Sequence, residues 1–215
     1  MDQSQKIKRE IVEIGKRLYQ KGFVVANEGN VSAKLNQRVI VTPTMKCKGF
    51  LTAKDLVTVD FMGRKIGGEL EPTSELLLHL FVYKKRPDVA AVVHAHPPHS
   101  TALAVAGLEL PQNVLPEVFL SLGRIPVAPY GTPSTQELPD SIEDLIMEHD
   151  AILLKNHGVL VVGKKLEETY FKLERVEHFA RIFSIANSLA RVEELPQEGM
   201  DKLQRIKSGR ENKSR

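Results

Sequence analysis

Hydrophobic positions along the chain alternate between helical and strand-like spacing. Residues 7–21 carry Ile11, Ile14, Leu18 and Tyr19 on one helical face, and Gly22 ends the pattern. Further along, β-branched runs alternate with helical stretches. A sheet covered by helices on both faces suits this mixed order. The predicted strands lie at 31–35, 39–42, 56–60, 90–96 and 125–127 and on either side of residues 156–158; the predicted helices lie at 74–85, 100–106, 134–147 and 166–189.

The strand predicted at 90–96 ends in two histidines, His94 and His96. Side chains two residues apart on a strand lie on the same face, so both imidazoles would point to one place. Neutral imidazole suits zinc and similar divalent ions. The pattern in isolation is equally typical of ordinary strand or surface histidines, so it needs further ligands.

A third histidine, His157, lies in an Asn-His-Gly turn between two β-rich runs. Such a turn places His157 at a strand end or hairpin tip. The alternative interpretation is a turn histidine that tolerates an unusual backbone angle.

An acidic candidate precedes the apolar helical run that starts near residue 76. Thr73 or Ser74 can cap this helix, which would put Glu75 in its first turn beside free backbone amides. Glu75 could therefore be a simple dipole-favouring acid. Together with three histidines it instead completes a donor set typical of catalytic zinc, which uses three protein ligands and an exchangeable position.

Composition narrows the class of protein. The 215 residues suit one domain with a full core, which we place at residues 1–195.

The polar start and the single cysteine, Cys47, favour a cytoplasmic protein, and the longest apolar runs are too short for a membrane span. Net charge is +3, and the basic residues at 196–215 predict a flexible tail. Without aromatic interleaving or a recognised module, we expect no nucleic-acid partner.

Seven motifs between residues 20 and 185 point to one family. They are Asn27-Glu-Gly-Asn30-Val-Ser32, Val41-Thr-Pro-Thr44, Leu51-Thr-Ala-Lys-Asp-Leu-Val57, Pro72-Thr-Ser-Glu75, residues 86–96, Ile125-Pro-Val-Ala-Pro-Tyr130 and Asn156-His157-Gly158. In their order and spacing they resemble the class II sugar-phosphate aldolase family, which is typified by L-fuculose-1-phosphate aldolase and related to ribulose-phosphate 4-epimerase and methylthioribulose-1-phosphate dehydratase.

The resemblance implies a fold and an assembly. The fold would be an aldolase II/adducin-like α/β fold with three α/β/α layers and a largely antiparallel sheet. The subunits would form a homotetramer with sites at subunit borders.

The resemblance implies roles for the candidate residues. His94, His96 and His157 match the family's metal ligands, and Glu75 matches the glutamate that both touches the metal and acts as catalytic base. A carboxylate displaced by a chelating substrate becomes a free base, which explains the dual role. The metal would be Zn²⁺, although Mn²⁺, Fe²⁺ or Co²⁺ also suit these ligands. The epimerase branch carries aspartate at this position, so Glu75 favours an aldolase.

A phosphate site is also implied by the resemblance. Backbone amides and hydroxyls at turns and helix starts suit a phosphate dianion. One departure from the family is Met45, which replaces a glycine and leaves Lys46 or Lys48 as a substitute contact. The implied phosphate contacts are Gly29, Asn30, Thr44, Thr73 and Ser74.

Substrate identity is not carried over by the resemblance. The fuculose enzyme has a proton-donating tyrosine where residues 112–123 contain none, and Glu117 is the titratable group there. We expect Glu117 to be either the second acid/base or a structural residue after Pro116. The predicted reaction is cleavage of a ketose 1-phosphate, a small sugar phosphate, to dihydroxyacetone phosphate and an aldehyde. A sugar-1-phosphate dehydratase and, less favoured, a non-catalytic adducin-like scaffold are the alternatives.

Overall fold

A computed structural model describes the backbone of residues 2–213 and the side chains of residues 2–209. Its strands are β1 Asn30–Leu35, β2 Arg38–Val41, β3 Val57–Asp60, β4 Lys65–Gly67, β5 Ala91–Ala95, β6 Val127–Ala128, β7 Ala151–Leu154 and β8 Gly158–Gly163. Its helices are α1 Gln3–Gln20, α2 Leu76–Lys85, α3 Pro98–Ala106, α4 Pro116–Ser121, α5 Glu137–Ser141, α6 Leu166–Leu189 and α7 Gln197–Lys213, with a 3₁₀ turn at Lys48–Phe50.

All eight strands form one sheet in the order β4-β3-β2-β1-β5-β8-β7-β6. Every pairing is antiparallel except that of β6 with β7. The largely antiparallel mixed α/β sheet implied by the resemblance is therefore confirmed.

Helices cover both faces of this sheet, and each face has its own apolar core. Val93 of β5 packs in one core with Ile11 of α1 and Phe179 of α6. Val92, its neighbour, points the other way and packs with Val82 of α2. Alternate side chains of a strand point to opposite faces, and β5 is buried on both, so every residue in it except His94 is apolar. The three-layer architecture predicted from the sequence is confirmed.

Some element boundaries differ from the prediction. Helix α2 begins at Leu76, so Glu75 lies just before the helix and not in its first turn. The helix expected over 134–147 shortens to α5 and is followed by turns. Pro139 lies in the first turn of α5, where proline is tolerated, and prevents the helix from extending back toward residue 134. Strand β5 ends at Ala95, because the N–H of His96 bonds to the carbonyl of Phe23 at 2.9 Å.

The segment expected to be a flexible tail has regular secondary structure over most of its length. Residues Gln197–Lys213 form α7, which packs near α4, where the ammonium of Lys207 lies 5.3 Å from the ring centre of Phe119. Residues 214–215 lie outside the described residues, and the flexibility of the tail stays a prediction. Within the described part of the chain, no helix combines the length and apolar character that a membrane crossing requires.

Candidate metal centre and phosphate site

His94 is fixed at the centre of the sheet. It is fully buried on β5, and its Nδ1 lies 3.0 Å from the carbonyl oxygen of Val159 on the neighbouring β8. A carbonyl only accepts, so Nδ1 carries the hydrogen and Nε2 keeps its lone pair. Burial lowers the pKa of His94 well below its ordinary value, which keeps the ring neutral.

His96 lies one residue beyond the strand and faces the same point. Its Nδ1 donates to Oε2 of Glu28 at 3.1 Å, which leaves Nε2 as the free electron-pair donor. That Nε2 lies 3.0 Å from Nε2 of His94. Burial and the neighbouring His157 both lower the pKa of His96. Ligating histidines in proteins are oriented in this way, through the nitrogen that does not bind the metal.

His157 reaches the cluster from the turn between β7 and β8. Its Nε2 lies 3.1 Å from Oε1 of Glu75. The left-handed backbone angle of this turn belongs to Asn156, with φ of 58°, so an unusual backbone angle does not explain the presence of histidine at position 157. Within residues 2–209, the buried Nδ1 of His157 has no hydrogen-bond partner.

Glu75 supplies the carboxylate at the start of α2. Its Oε2 accepts a hydrogen bond from Nδ2 of Asn30 at 2.7 Å and lies 3.3 Å from Nε2 of His94. Burial alone would raise the pKa of Glu75, but the hydrogen bonds from His157 and Asn30 lower it well below its usual range. The carboxyl group is therefore ionised at any ordinary pH.

The donor set fits a divalent metal ion. One ring nitrogen from each of His94, His96 and His157 falls within a group whose members lie within 4.8 Å of one another. Tetrahedral zinc with bonds of about 2.05 Å places its ligand atoms about 3.3 Å apart. The separations of 3.0, 3.1 and 3.3 Å among these nitrogens and the Glu75 oxygens are close to that value.

The segments predicted to bind phosphate meet beside Glu75. The N–H of Thr73 bonds to the carbonyl of Thr42 at 3.1 Å, and the N–H of Thr44 bonds to the carbonyl of Glu71 at 3.1 Å. Thr73 also accepts a hydrogen bond from the Glu75 N–H at 3.3 Å through Oγ1, whereas Ser74 is exposed.

Gly29 belongs to the turn that completes this region. Its φ is +68°, and a Cβ at this position would lie 2.5 Å from Cγ1 of Val24 and 2.9 Å from the carbonyl oxygen of His94. Only glycine fits there without movement of the sheet. The next residue, Asn30, directs one N–H of its side-chain amide to Glu75 and its Oδ1 to His79.

At position 45, where methionine replaces the glycine of the family, the backbone keeps the left-handed conformation that glycine favours. Met45 has φ of 53°, and Nδ2 of Asn27 lies 3.1 Å from its sulfur. Nearby Lys48 is 1% exposed, and its Nζ donates to the carbonyls of Asn27 and Lys46 at 2.7 and 2.8 Å. Within the described residues no carboxylate forms an ion pair with Lys48. Burial lowers the pKa of Lys48 to about 8, against the opposing effect of Cys47 and Glu75.

Glu117 is not part of this cluster within one chain. It is exposed in the first turn of α4, and its carbonyl accepts a hydrogen bond from the Ser121 hydroxyl at 2.6 Å. Among the described residues, no hydrogen bond or ion pair joins its carboxylate to the histidines or to Glu75.

Two contributors were missed by the sequence interpretation: Glu28 and His79. His79 follows Glu75 by four residues, a spacing that puts both on one face of the helix predicted over 74–85, and this was a usable signal. Glu28 carried no signal, because its partner His96 is distant in sequence. Lys48 was named as a substitute phosphate contact, but its burial and its carbonyl partners were not predicted.

Comparison with known proteins gives a consistent picture. The family model described as "Class II Aldolase and Adducin N-terminal domain" matches residues 9–184. The L-fuculose phosphate aldolase of Methanococcus vannielii is 37% identical over 180 residues, which cover 84% of this chain and 97% of that protein. The 3-oxo-tetronate 4-phosphate decarboxylase of Haemophilus influenzae is 33% identical over 178 residues, covering 80% of this chain and 84% of that protein.

Solved structures are similar over nearly the whole chain. An L-fuculose 1-phosphate aldolase superposes with a TM-score of 0.86 at 30% identity, covering 92% of this chain and 94% of that one. YgbL of Escherichia coli, a putative aldolase/epimerase/decarboxylase, superposes with a TM-score of 0.87 at 29% identity, covering 94% and 99%.

Zinc binding tests the donor set directly. We expect zinc at 100 times its dissociation constant to stabilise the wild-type protein by about 2.7 kcal/mol, because it binds only the folded site. His96→Ala should lose most of this gain, since it removes one convergent nitrogen. Thermal unfolding of chelator-treated protein, with and without zinc, measures the shift. His178→Ala, which changes an exposed histidine on α6, is the matched control and should keep the full shift. An unchanged zinc shift in His96→Ala would contradict the assignment.

Proposed function

This chain belongs to the family of class II aldolases and adducin N-terminal domains, and we propose that it is a metal-dependent aldolase that cleaves a ketose 1-phosphate to dihydroxyacetone phosphate and an aldehyde. The observation that carries the proposal is the convergence of three imidazoles and one ionised carboxylate at a single point. A non-catalytic adducin-like scaffold has no chemical need for such a set.

The metal is a divalent ion held by His94, His96, His157 and Glu75. Zinc suits three imidazoles and one carboxylate, and manganese, iron or cobalt can use the same ligands. When bound, the ion supplies Lewis-acid stabilisation of the negative charge that develops as the carbon–carbon bond breaks.

Glu75 is the proposed base in the direction of synthesis, where it takes a proton from dihydroxyacetone phosphate. The hydrogen bond from Asn30 holds the Glu75 carboxylate in position to take this proton. Its position before the first turn of α2, close to the Thr73 and Ser74 segment, places the base beside the proposed phosphate end of the substrate.

The phosphate of the substrate is proposed to lie on Gly29, Asn30, Thr44, Thr73 and Ser74. Buried Lys48 supports this placement. Its ammonium is bonded to two carbonyls and, among the described residues, has no carboxylate within ion-pair distance, so a phosphate dianion bound nearby would add a counter-charge to the more distant Glu75.

A second acid/base is proposed to be Glu117, which replaces the tyrosine of the fuculose enzyme. Because Glu117 lies away from the histidines of its own chain, this role requires the site of a neighbouring subunit in a homotetramer. A sugar-1-phosphate dehydratase is the second candidate function, and the glutamate at this position favours it. The family also includes proteins named as decarboxylases, so the reaction itself needs a direct assay. We further propose a cytoplasmic location.

Release of dihydroxyacetone phosphate tests the reaction. We expect chelator-treated protein to be inactive on a panel of ketose 1-phosphates and zinc or manganese to restore release, because the ion stabilises the developing charge. A coupled assay for dihydroxyacetone phosphate measures the product. Loss of water from the sugar phosphate without release of dihydroxyacetone phosphate would favour the dehydratase. No product from any ketose 1-phosphate of the panel, with metal-loaded protein, would contradict the aldolase.

Glu117→Gln tests the second acid/base. We expect metal content to be unchanged and kcat to fall by about 100-fold, the usual contribution of one positioned proton donor. Glu109→Gln, another exposed acid in the neighbouring loop, is the control and should keep wild-type turnover. Wild-type kcat in Glu117→Gln would remove this residue from the mechanism.

Lys48→Met tests the buried charge. We expect KM for a sugar phosphate to rise about tenfold, equivalent to about 1.4 kcal/mol, because a cation near the phosphate is lost. Lys48 is charged below its pKa of about 8 and neutral above it, so KM of the wild type should rise above pH 8. KM of Lys48→Met should not show this rise. Lys54→Met removes an exposed lysine and should behave as the wild type. An unchanged KM in a folded Lys48→Met protein would contradict the assignment.

A further inference from the structure

A relay of hydrogen-bonded, buried polar side chains extends from Glu75 into the interior through Asn30, His79, Ser32 and Tyr83. Asn30, Ser32, His79 and Tyr83 are each no more than 3% exposed. Nδ2 of Asn30 lies 2.7 Å from Oε2 of Glu75, and Oδ1 of Asn30 contacts Nε2 of His79. On its other side, Nδ1 of His79 lies 2.6 Å from the Ser32 hydroxyl, which lies 2.7 Å from the hydroxyl of Tyr83. Polar groups this deeply buried are found where they have a specific task.

The chemistry of one end fixes the direction of every hydrogen bond in this relay. The Glu75 carboxylate is ionised and can only accept, so the Asn30 amide must turn its NH₂ group toward Glu75. Oδ1 of Asn30 then faces His79 and needs a donor there, so Nε2 of His79 carries the hydrogen. Nδ1 of His79 is consequently an acceptor for the Ser32 hydroxyl, and Ser32 in turn accepts from Tyr83.

The opposite arrangement is unfavourable in this position. If His79 carried its hydrogen on Nδ1, Asn30 would have to rotate its amide to donate to Nε2. Oδ1 of Asn30 would then face Oε2 of Glu75 at the separation of 2.7 Å that the hydrogen bond now occupies. Two oxygen acceptors at that distance, away from water, repel strongly.

We propose that His79 is a positioning residue, which fixes the Asn30 amide so that its NH₂ group holds the Glu75 carboxylate in place for catalysis. The role of Glu75 rests on the proposed function above, but the state of His79 does not. His79 is not in contact with the substrate or the metal ligands, and it acts only through Asn30. Burial lowers the pKa of His79 to about 4, so the ring is neutral at physiological pH and can serve as a fixed donor and acceptor.

This inference gives Asn30 a role beside the proposed phosphate contact. Its Oδ1 and one hydrogen of its NH₂ group are used inside the relay, so the side chain clamps the base. The strand position of Asn30, paired with His94 across β1 and β5, makes the clamp part of the same sheet that carries the histidines.

The tautomer of His79 is the first test, because it needs no substrate. In the full-length protein labelled with ¹⁵N-histidine, two-bond ¹H–¹⁵N correlation spectra report which ring nitrogen carries hydrogen, and His79→Gln identifies the His79 signals by their loss. We expect neutral His79 with hydrogen on Nε2, in metal-free and zinc-loaded protein alike. Tyr83→Phe, which removes only the outermost hydroxyl, should keep this tautomer. Hydrogen on Nδ1, or a charged ring at neutral pH, would overturn the proposal.

Kinetics of two substitutions then test the effect on the base. His79→Gln can place an N–H near the position of Nε2, whereas His79→Leu offers no donor to Asn30. We expect His79→Leu to keep its zinc content and its KM within about twofold while kcat falls at least about tenfold, as displacement of a reacting group does. His79→Gln should recover most of that loss.

The readouts separate the possible failures. A purely structural role would lower the melting temperature of both variants without restoring kcat in His79→Gln, and that result would overturn the proposal. If His79→Leu does not fold, the tautomer measurement on the wild type still decides. If wild-type protein has no aldolase activity, the proposed function fails, while the spectra continue to test the relay.

Discussion

Antiparallel pairing of β5 with β8 is the constraint on which the site depends. His94 pairs with Leu160 and Ala95 with Val159, so the end of β5 lies against the turn that precedes β8. That register brings His94 and His96 beside His157, although they are distant in sequence. Gly158 makes the approach possible, because a Cβ there would lie 2.5 Å from the carbonyl oxygen of Ala95 and 2.6 Å from Cδ2 of His96. A slip of one residue would turn His94 to the opposite face of the sheet.

Much of this arrangement could be predicted from the sequence, because it depends on periodic patterns and on local motifs. Two histidines at the end of an apolar strand and a third in an Asn-His-Gly turn indicated the metal ligands, and the structure brings them together. The mixed order of strands and helices likewise predicted the covered sheet. The start of α2 was misplaced by two residues, since Ser74 and Glu75 form a turn and not the first helical residues.

The interactions that orient the site could not be predicted in the same way. The resemblance assigned Asn30 to the phosphate, and its side-chain contacts with Glu75 and His79 could not be predicted, because they depend on the fold. Lys48 was named only as a substitute phosphate contact, and its burial against the carbonyls of Asn27 and Lys46 could not be predicted either. The proposed role of Glu117 depends on an assembly that a single chain does not contain. Neighbours in the fold or in the assembly, and not local sequence, govern such roles.

Charge balance connects the two halves of the site. On one side, three imidazoles and an ionised Glu75 form a donor set that suits a cation; on the other, buried Lys48 favours an anion. X-ray absorption spectroscopy of the zinc-loaded, full-length protein tests this account most directly. We predict a spectrum of zinc bound by three imidazoles and a carboxylate oxygen, with the imidazole signal weakened when a ligand histidine is removed. Zinc surrounded only by oxygen ligands, or failure to retain one zinc per chain, would contradict it.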